Sequence, residues 1–328
     1  MNQFGRNFRV TIFGESHGPM VGVVLDGVKP GMELGEADFT EMLERRRGGL
    51  KPGTTPRKES DRPIFLSGLF EGKTTGAPLT IAFENKNTDS KSYLSQQEIP
   101  RPGHADFVAN QKFNGFNDYR GGGHFSGRLT VALVAAGVVA QKQINLKENN
   151  KIDINAKIIE LGGSADLEKA IEQAIAEQDS IGGIIECSVA HLPIGFGEPF
   201  FDSIESLISH AVFSIPAIKG IEFGSGFQSA RMKGSENNDP LIDKYGKTAT
   251  NHTGGISGGI SNGNDLIFRV AVKPTSSTPQ LQESLNMSNE KIETFSVSGR
   301  HDLCIALRVP PVLEAVTAIV LADLQWNI

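Results

Sequence analysis

Residues 129–144 read LTVALVAAGVVAQKQI. Apolar side chains continue round nearly every face of the helix this stretch predicts, instead of forming one stripe. A helix of that kind is buried on all sides in a protein core. Its β-branched valines pull toward strand without reversing the assignment. A second such stretch lies near the end of the chain. Pro310-Pro311 is suited to open a helix, and residues 312–326 are again strongly apolar. No uninterrupted apolar run reaches the roughly 18 residues of a membrane span.

Working outward, strands are predicted at residues 8–13, 20–25, 64–70, 79–83, 152–161, 184–189 and 266–272. Helices are predicted at 36–47, stopped by Gly48-Gly49, and at 166–177. A further helix over 204–213 follows Asp202, which with Glu205 has the pattern of an N-cap and its third-position acid. Residues 85–124 are irregular, yet Tyr93, Phe107, Phe113, Phe116 and Tyr119 argue for an active-site loop over disorder. Residues 23–46 and 184–210 share a faint strand, turn, helix order. No Gly/Ser-rich or Pro-rich linker divides the chain, which predicts one domain over residues 1–328.

The chain has 328 residues and a formal net charge of -6, which disfavours a nucleic-acid partner. Beneath that total, Arg45, Arg46, Arg47, Lys51, Arg57 and Lys58 crowd together, and Arg101, Arg120, His124 and Arg128 form a second basic region. A small anionic ligand fits this local pattern better than a polymer. Cys187 and Cys304 are too few to staple a chain this long and suggest a reducing compartment. The N-terminus lacks the apolar core of a signal peptide, so a cytoplasmic, non-membrane location is expected.

Four histidines stand in tight Gly/Pro settings: His17, His104, His124 and His301. Histidine is the side chain best able to pass a proton near neutrality, so each is a catalytic candidate or a surface histidine. His191 and His210 read as structural. No Cys-x-x-Cys or His-Glu-x-x-His cluster is present, and no metal is expected. Gly14-Glu15-Ser16-His17-Gly18 misses the spacing of a serine-nucleophile elbow. The runs Gly121-Gly122-Gly123 and Gly254 to Gly259 would let backbone N–H groups approach an anion, without being a Rossmann or Walker loop. Lys273-Pro274-Thr275-Ser276-Ser277 adds a cation and hydroxyls after a strand, either as a phosphate cradle or as a plain strand exit. Adjacent arginines on a helix are turned by about 100 degrees, so one or two of Arg45, Arg46 and Arg47 should face a ligand.

These residues, in this order, resemble the chorismate synthase family. The resemblance rests on Gly14-Glu15-Ser16-His17-Gly18, Arg45-Arg46-Arg47, Arg101-Pro102-Gly103-His104-Ala105-Asp106, Asp118-Tyr119-Arg120-Gly121-Gly122-Gly123, Lys273-Pro274-Thr275-Ser276-Ser277 and Gly299-Arg300-His301-Asp302. It implies an α+β fold, a compact sandwich with helices enclosed between antiparallel sheets and internally duplicated. It also implies conversion of 5-enolpyruvylshikimate 3-phosphate to chorismate and phosphate by 1,4-elimination, with reduced FMN and no net redox change. A homotetramer built as a dimer of dimers is the implied assembly.

Carried over by motif, His17 looks like the acid for the departing phosphate, supported by Ser16. His104 looks like the group that protonates or stabilises the reduced flavin, and Asp302 like the base at flavin N5. Arg46, Arg47, Arg120 and Arg128 look like substrate anion contacts. The implied flavin site comprises His124, Phe125, Ser126, Glu236, Asn237, Gly259, Lys273, Pro274, Thr275, Ser276, Ser277 and Arg300. Many relatives carry Arg-Ser-Ser-Ala-Arg where this chain has His124-Phe125-Ser126-Gly127-Arg128. Some relatives reduce their flavin with NADPH; with no dinucleotide fingerprint here, an external reductant or reductase is expected. The competing readings are a flavin-dependent oxidoreductase with net hydride delivery, and a module that binds anions or RNA on its basic clusters.

Overall fold

The computed structural model describes residues 2–49, 52–57, 59–88, 98–146, 151–297 and 301–325. The chain begins with β1 (Gln3–Phe4), β2 (Arg9–Gly14) and β3 (Met20–Asp26). A 3-10 turn over Glu36–Phe39 leads into α1 (Thr40–Arg46). Next come β4 (Ile64–Ser67), the small hairpin β5 (Leu69–Phe70) and β6 (Lys73–Thr74), and β7 (Leu79–Glu84). Then α2 (Asp106–Lys112) and α3 (Thr130–Ile144) follow. Strands β1-β2-β3-β7-β4 form one antiparallel sheet in that order. Val21, Val23 and Leu25 pair with Phe83, Ile81 and Leu79, so the two-residue period puts all six on one face. All six are fully buried, and α3 packs on these strands.

The second half runs β8 (Asp153–Leu161), α4 (Leu167–Glu177), β9 (Gly183–Ala190), α5 (Ile204–Val212) and β10 (Ile218–Phe223). A long excursion carries α6 (Gly234–Asn237) and the short strands β11 (Ile256–Ser257) and β12 (Ile260–Ser261). Strand β13 (Leu266–Val272), the hairpin β14 (Gln282–Asn286) and β15 (Lys291–Phe295), and α7 (Pro310–Leu324) complete it. Strands β10-β13-β9-β8 make a second antiparallel sheet. Leu266, Phe268 and Val270 pair with Val189, Cys187 and Ile185, again all on one buried face. Helix α7 packs on β8 and β9, and α3 packs on α7.

The two apolar stretches thus lie back to back, each covering one antiparallel sheet, in an α+β fold. Every residue of α7 is buried, as its apolar circumference requires. Among the described residues, no helix is long and apolar enough to cross a membrane. Both cysteines are free and buried, and burial pushes both thiols up, that of Cys304 to about 11.

Two local readings need correction. Asp202 does not cap α5. Ser203 does, its side chain accepting from Ser206 N at 3.1 Å, while Asp202 pairs with Arg6 at 2.6 Å. The irregular stretch before α3 contains the two-turn helix α2. Strand β10 and the β14–β15 hairpin also escape the sequence pattern.

Candidate active site

A cavity of about 840 Å3 opens where the end of α1, the glycine run before α3, the exit of β13 and the start of α7 converge. Val10 and Ile12 of β2, Leu129 and Leu133 of α3 and its lead-in, and Val312, Val316 and Ile319 of α7 supply its apolar lining. Among the described residues its wall carries seven cations, Arg46, Arg47, Arg57, Arg101, Arg128, Lys273 and Arg308, against three carboxylates, Glu59, Asp61 and Asp302. That excess of four positive charges suits a ligand with several anionic groups.

The arginine run divides its work as the helical turn requires. Arg45 faces α7 and makes a two-pronged pair with Glu314, both contacts at 2.7 Å. Arg46 is only 2% exposed. Its Nε donates to Thr130 Oγ1 at 2.9 Å, its Nη2 to the carbonyls of Gly127 and Arg128, and its Nη1 to Asp61 at 3.3 Å. Burial pulls its pKa down, as do Arg308 and Arg128, against the pull of Asp61. Arg47 donates through Nη2 to Ser60 O, and its buried Nε has no acceptor among the described residues. Arg128 pairs with the other oxygen of Asp61 and donates to Asn85 Oδ1 at 2.9 Å.

The glycine run passes between two histidines. A Cβ on Gly121 would stand 2.5 Å from the His17 ring and 2.9 Å from Ser16 Oγ. One on Gly122 would stand 3.2 Å from His104 Cε1. Both glycines have positive φ, which L side chains rarely adopt. Ser16 is buried on the cavity wall, where Arg57 Nη1 donates to its Oγ at 3.2 Å and Glu59 holds Arg57 at 2.8 Å. His17 does not itself line the wall, but its ring lies against Gly121, which does. His104 is on the wall, with Asp106 and Arg101 beside it.

Across the cavity, Lys273 and Ser276 both donate to the carbonyl of Gly103, tying the strand exit to the loop that carries His104. Pro274, Thr275 and Ser277 also line the wall, and the buried Thr275 hydroxyl has no partner among the described residues. Burial and the nearby Lys219 hold the Lys273 pKa below its ordinary value. Asp302 accepts from Thr55 N at 2.8 Å and from Arg308 Nη1 at 3.0 Å. His124, Phe125 and Ser126 line the same cavity, with His124 Nδ1 2.8 Å from Gly14 O.

Other expected site residues lie elsewhere. Arg120 pairs with Asp118 at 2.8 Å and faces outward. Glu236 and Asn237 are on α6, and Gly259 lies in the β11–β12 turn against Ser203. None of these four lines the cavity of its own chain. Arg300 lies outside the described residues. The sequence pattern assigns no role to Asp61, Glu59, Arg57, Arg101 or Arg308. Arg57 and Arg101 are visible in the basic clusters, and Asp106, which holds Arg101, ends a quoted motif, but nothing local marks Glu59 as the partner of Arg57.

The chorismate synthase family model matches residues 8–325. A chorismate synthase of Chitinophaga pinensis is 63% identical over 323 residues, covering 98% of this chain and 96% of that protein. One from Dehalococcoides mccartyi is 43% identical over 351 aligned positions, with the same coverage of each chain. A crystal structure of a chorismate synthase matches with a TM-score of 0.74 at 24% identity, over 99% of this chain and 93% of the other, a likeness of fold.

Proposed function

The chain belongs to the chorismate synthase family, and on that premise we infer how its cavity performs the family reaction. The enzyme is a lyase of the shikimate pathway, which converts 5-enolpyruvylshikimate 3-phosphate to chorismate and phosphate by anti-1,4-elimination. The family requires reduced flavin. The excess of four positive charges on the wall carries the assignment of substrate to this cavity, because the substrate brings one phosphate and two carboxylates. Arg47, whose Nε has no acceptor among the described residues, is the first anion contact, and Arg128, with one N–H left on each terminal nitrogen after Asn85, Asp61 and Glu84 O, is the second. Arg46 has at most one donor left for substrate and mainly positions its neighbours.

The residues present fit reduced FMN. The Thr275 hydroxyl, without a partner among the described residues, and Lys273 suit an anionic end, and the apolar lining suits a flat ring. Lys273, Pro274, Thr275, Ser276, Ser277, His124, Phe125 and Ser126 would hold it. When bound, the reduced flavin supplies the electron density that weakens an otherwise unreactive C–H bond. His17, whose ring lies against Gly121 next to Ser16 at the edge of the wall, would donate a proton to the departing phosphate, and Ser16 with Arg57 fixes that side of the wall. His104 keeps a proton available at the flavin. Asp302, held by Thr55 N and Arg308, would serve as the base for the proton at flavin N5.

The reading extends to a homotetramer, a dimer of dimers. Phe227, Leu241, Ile242 and Tyr245, all exposed on the excursion after β10, support an interface there. Glu236 and Asn237 on the same excursion would then meet the flavin of a neighbouring copy. With β1 set aside, the matching strand orders β2-β3-β7-β4 and β8-β9-β13-β10 support the reading of a duplicated, enclosed sandwich. Reduction is assigned to an external source; anaerobic turnover with NADPH as sole reductant would contradict that.

An anaerobic assay with reduced FMN and 5-enolpyruvylshikimate 3-phosphate should release phosphate and chorismate in equal amounts, with no stoichiometric oxidation of flavin. His17→Ala and Asp302→Ala should lower turnover far more than they lower the denaturation midpoint. Normal turnover in both variants would refute their roles.

A further inference from the structure

His104 does not stand alone on the cavity wall. Its Nδ1 lies 2.6 Å from Asp106 Oδ1, a hydrogen-bond distance typical of a charge-assisted pair. Asp106 is fixed in turn by Arg101, whose Nε donates to Oδ2 at 2.7 Å and whose Nη2 donates to Oδ1 at 2.8 Å. Arg101 is 5% exposed, and its Nη1 is anchored on Ser277 Oγ at 3.0 Å. Arg101, Asp106 and His104 of one short loop thus form a chain that runs from Ser277 to the imidazole.

The placement of each member separates their duties. His104 and Arg101 line the large cavity, whereas Asp106 does not. Asp106 lies on a smaller pocket of about 100 Å3 behind the ring, which His104 also borders. The carboxylate thus approaches the imidazole from behind. We propose that Asp106 is a positioning residue that holds the Nδ1 proton of His104 and so presents Nε2 as the nitrogen that exchanges protons in the cavity. This rests on the role of His104 inferred above.

The alternative tautomer is disfavoured by the same geometry. With the proton on Nε2, the Nδ1 lone pair would face a carboxylate oxygen at 2.6 Å, acceptor against acceptor. Burial would raise the Asp106 carboxyl, but hydrogen bonds from Arg101 and His104 hold it well below the usual carboxylate range, so it is an anion at neutral pH. Arg101 Nη2 is itself 3.0 Å from Nδ1 and 3.2 Å from Nε2. A lone guanidinium there would oppose a proton on the ring, and Asp106 offsets it. The other charged or titratable groups facing this corner are Lys273, bonded to Gly103 O, and Asp118 and Tyr119 across the small pocket. Gly122 closes the remaining side, where a side chain would press on Cε1 at 3.2 Å. The ring is thus clamped in orientation as well as in tautomer. The aspartate that orients the histidine of a serine-protease triad acts by the same physics.

The test is Asp106→Asn, which keeps the shape and removes the charge. Two readouts are taken: the histidine ring 15N resonances, assigned to His104 by their loss in His104→Ala, and steady-state kinetics with reduced FMN. The expected result is loss of the single Nδ1–H tautomer signature, with kcat lower by at least about tenfold and the substrate KM within twofold. Asp106→Glu should recover part of kcat. An unchanged tautomer in Asp106→Asn overturns the proposal, and so does a changed tautomer with unchanged kcat. If His104→Ala keeps full turnover, the inferred role of His104 falls and the catalytic use of the dyad falls with it. That failure is told apart because the tautomer would still respond to Asp106→Asn.

Discussion

Asp61 lies between Arg46 and Arg128, 4% exposed, with a left-handed backbone at φ 49°. Aspartate tolerates that conformation better than most residues. Burial would raise its carboxyl, but the two guanidinium groups bring it below its ordinary value. A depressed carboxyl contributes stability above its unfolded pKa, and that contribution fades as pH falls through the folded value. Arg46→Ala leaves this anion with Arg128 as its side-chain partner among the described residues, and it takes one hydrogen bond each from Thr130 Oγ1 and the carbonyls of Gly127 and Arg128. It should lower stability by about 3 kcal/mol, read as a shifted denaturant midpoint. Arg47→Ala removes, among the described residues, one hydrogen bond, to Ser60 O, and a weaker electrostatic pull on Asp61, so it should lower the midpoint far less than Arg46→Ala and raise the substrate KM. The opposite ranking would return Arg46 to direct substrate contact. The sequence shows a basic cluster here and stops. Asp61 and Glu59 are ordinary acids in a polar stretch until the structure shows them holding Arg46 and Arg57, and the motif that marks Asp302 does not disclose its partner Arg308.

The excursion between β10 and β13 has little apolar core of its own, and one carboxylate gathers it. Asp239 accepts from Thr250 Oγ1 at 2.7 Å, His252 N at 2.8 Å, Thr253 N at 2.9 Å and Thr253 Oγ1 at 2.8 Å. Burial works against its charge, but these hydrogen bonds bring its pKa from 3.8 down to about 2. The local order should therefore be intact above the ordinary carboxyl range and weaken as pH falls from 3.8 toward about 2. Asp239→Ala should speed proteolytic cleavage within residues 239–253 at neutral pH and leave the midpoint of global unfolding little changed. Cleavage at the parent rate would show that the excursion is held by something else. Elements of this kind are hard to read from sequence, because long-range side-chain bonds replace hydrophobic period. Where period or a local cap decides, the sequence reading is close. The helix expected from residue 166 is α4, with Asp166 as its cap. At α5 two adjacent residues both suit the cap, and Asp202 is drawn off to Arg6.

At the scale of the molecule, four strands of the first sheet, with β1 set aside, share one strand order with the four of the second. In the first sheet the strands β2, β3, β4 and β7 are arranged β2-β3-β7-β4; in the second, β8, β9, β10 and β13 are arranged β8-β9-β13-β10. Each half ends in a helix of fifteen residues. The sequence does not disclose this order, since the chain does not reveal which strands pair. The halves meet where α3 crosses α7, and the crossing depends on Gly137. A Cβ there would overlap the Cβ and Cα of Ala315. Local propensity and packing therefore make opposite predictions for Gly137→Ala. Alanine is favoured over glycine inside a helix by about 1 kcal/mol, which would stabilise α3. Overpacking a core commonly loses about 1–3 kcal/mol, and here the obstruction is backbone as well as side chain. Packing should win, giving a net loss of stability. Because α3 starts beside Arg128 and α7 beside Arg308, separating the helices should also widen the cavity and raise the substrate KM. Adding Ala315→Gly to Gly137→Ala should restore part of both, measured as coupling in a double-mutant cycle. A stabilised single variant, or a pair of substitutions that merely add, would mean that the two halves do not depend on this contact.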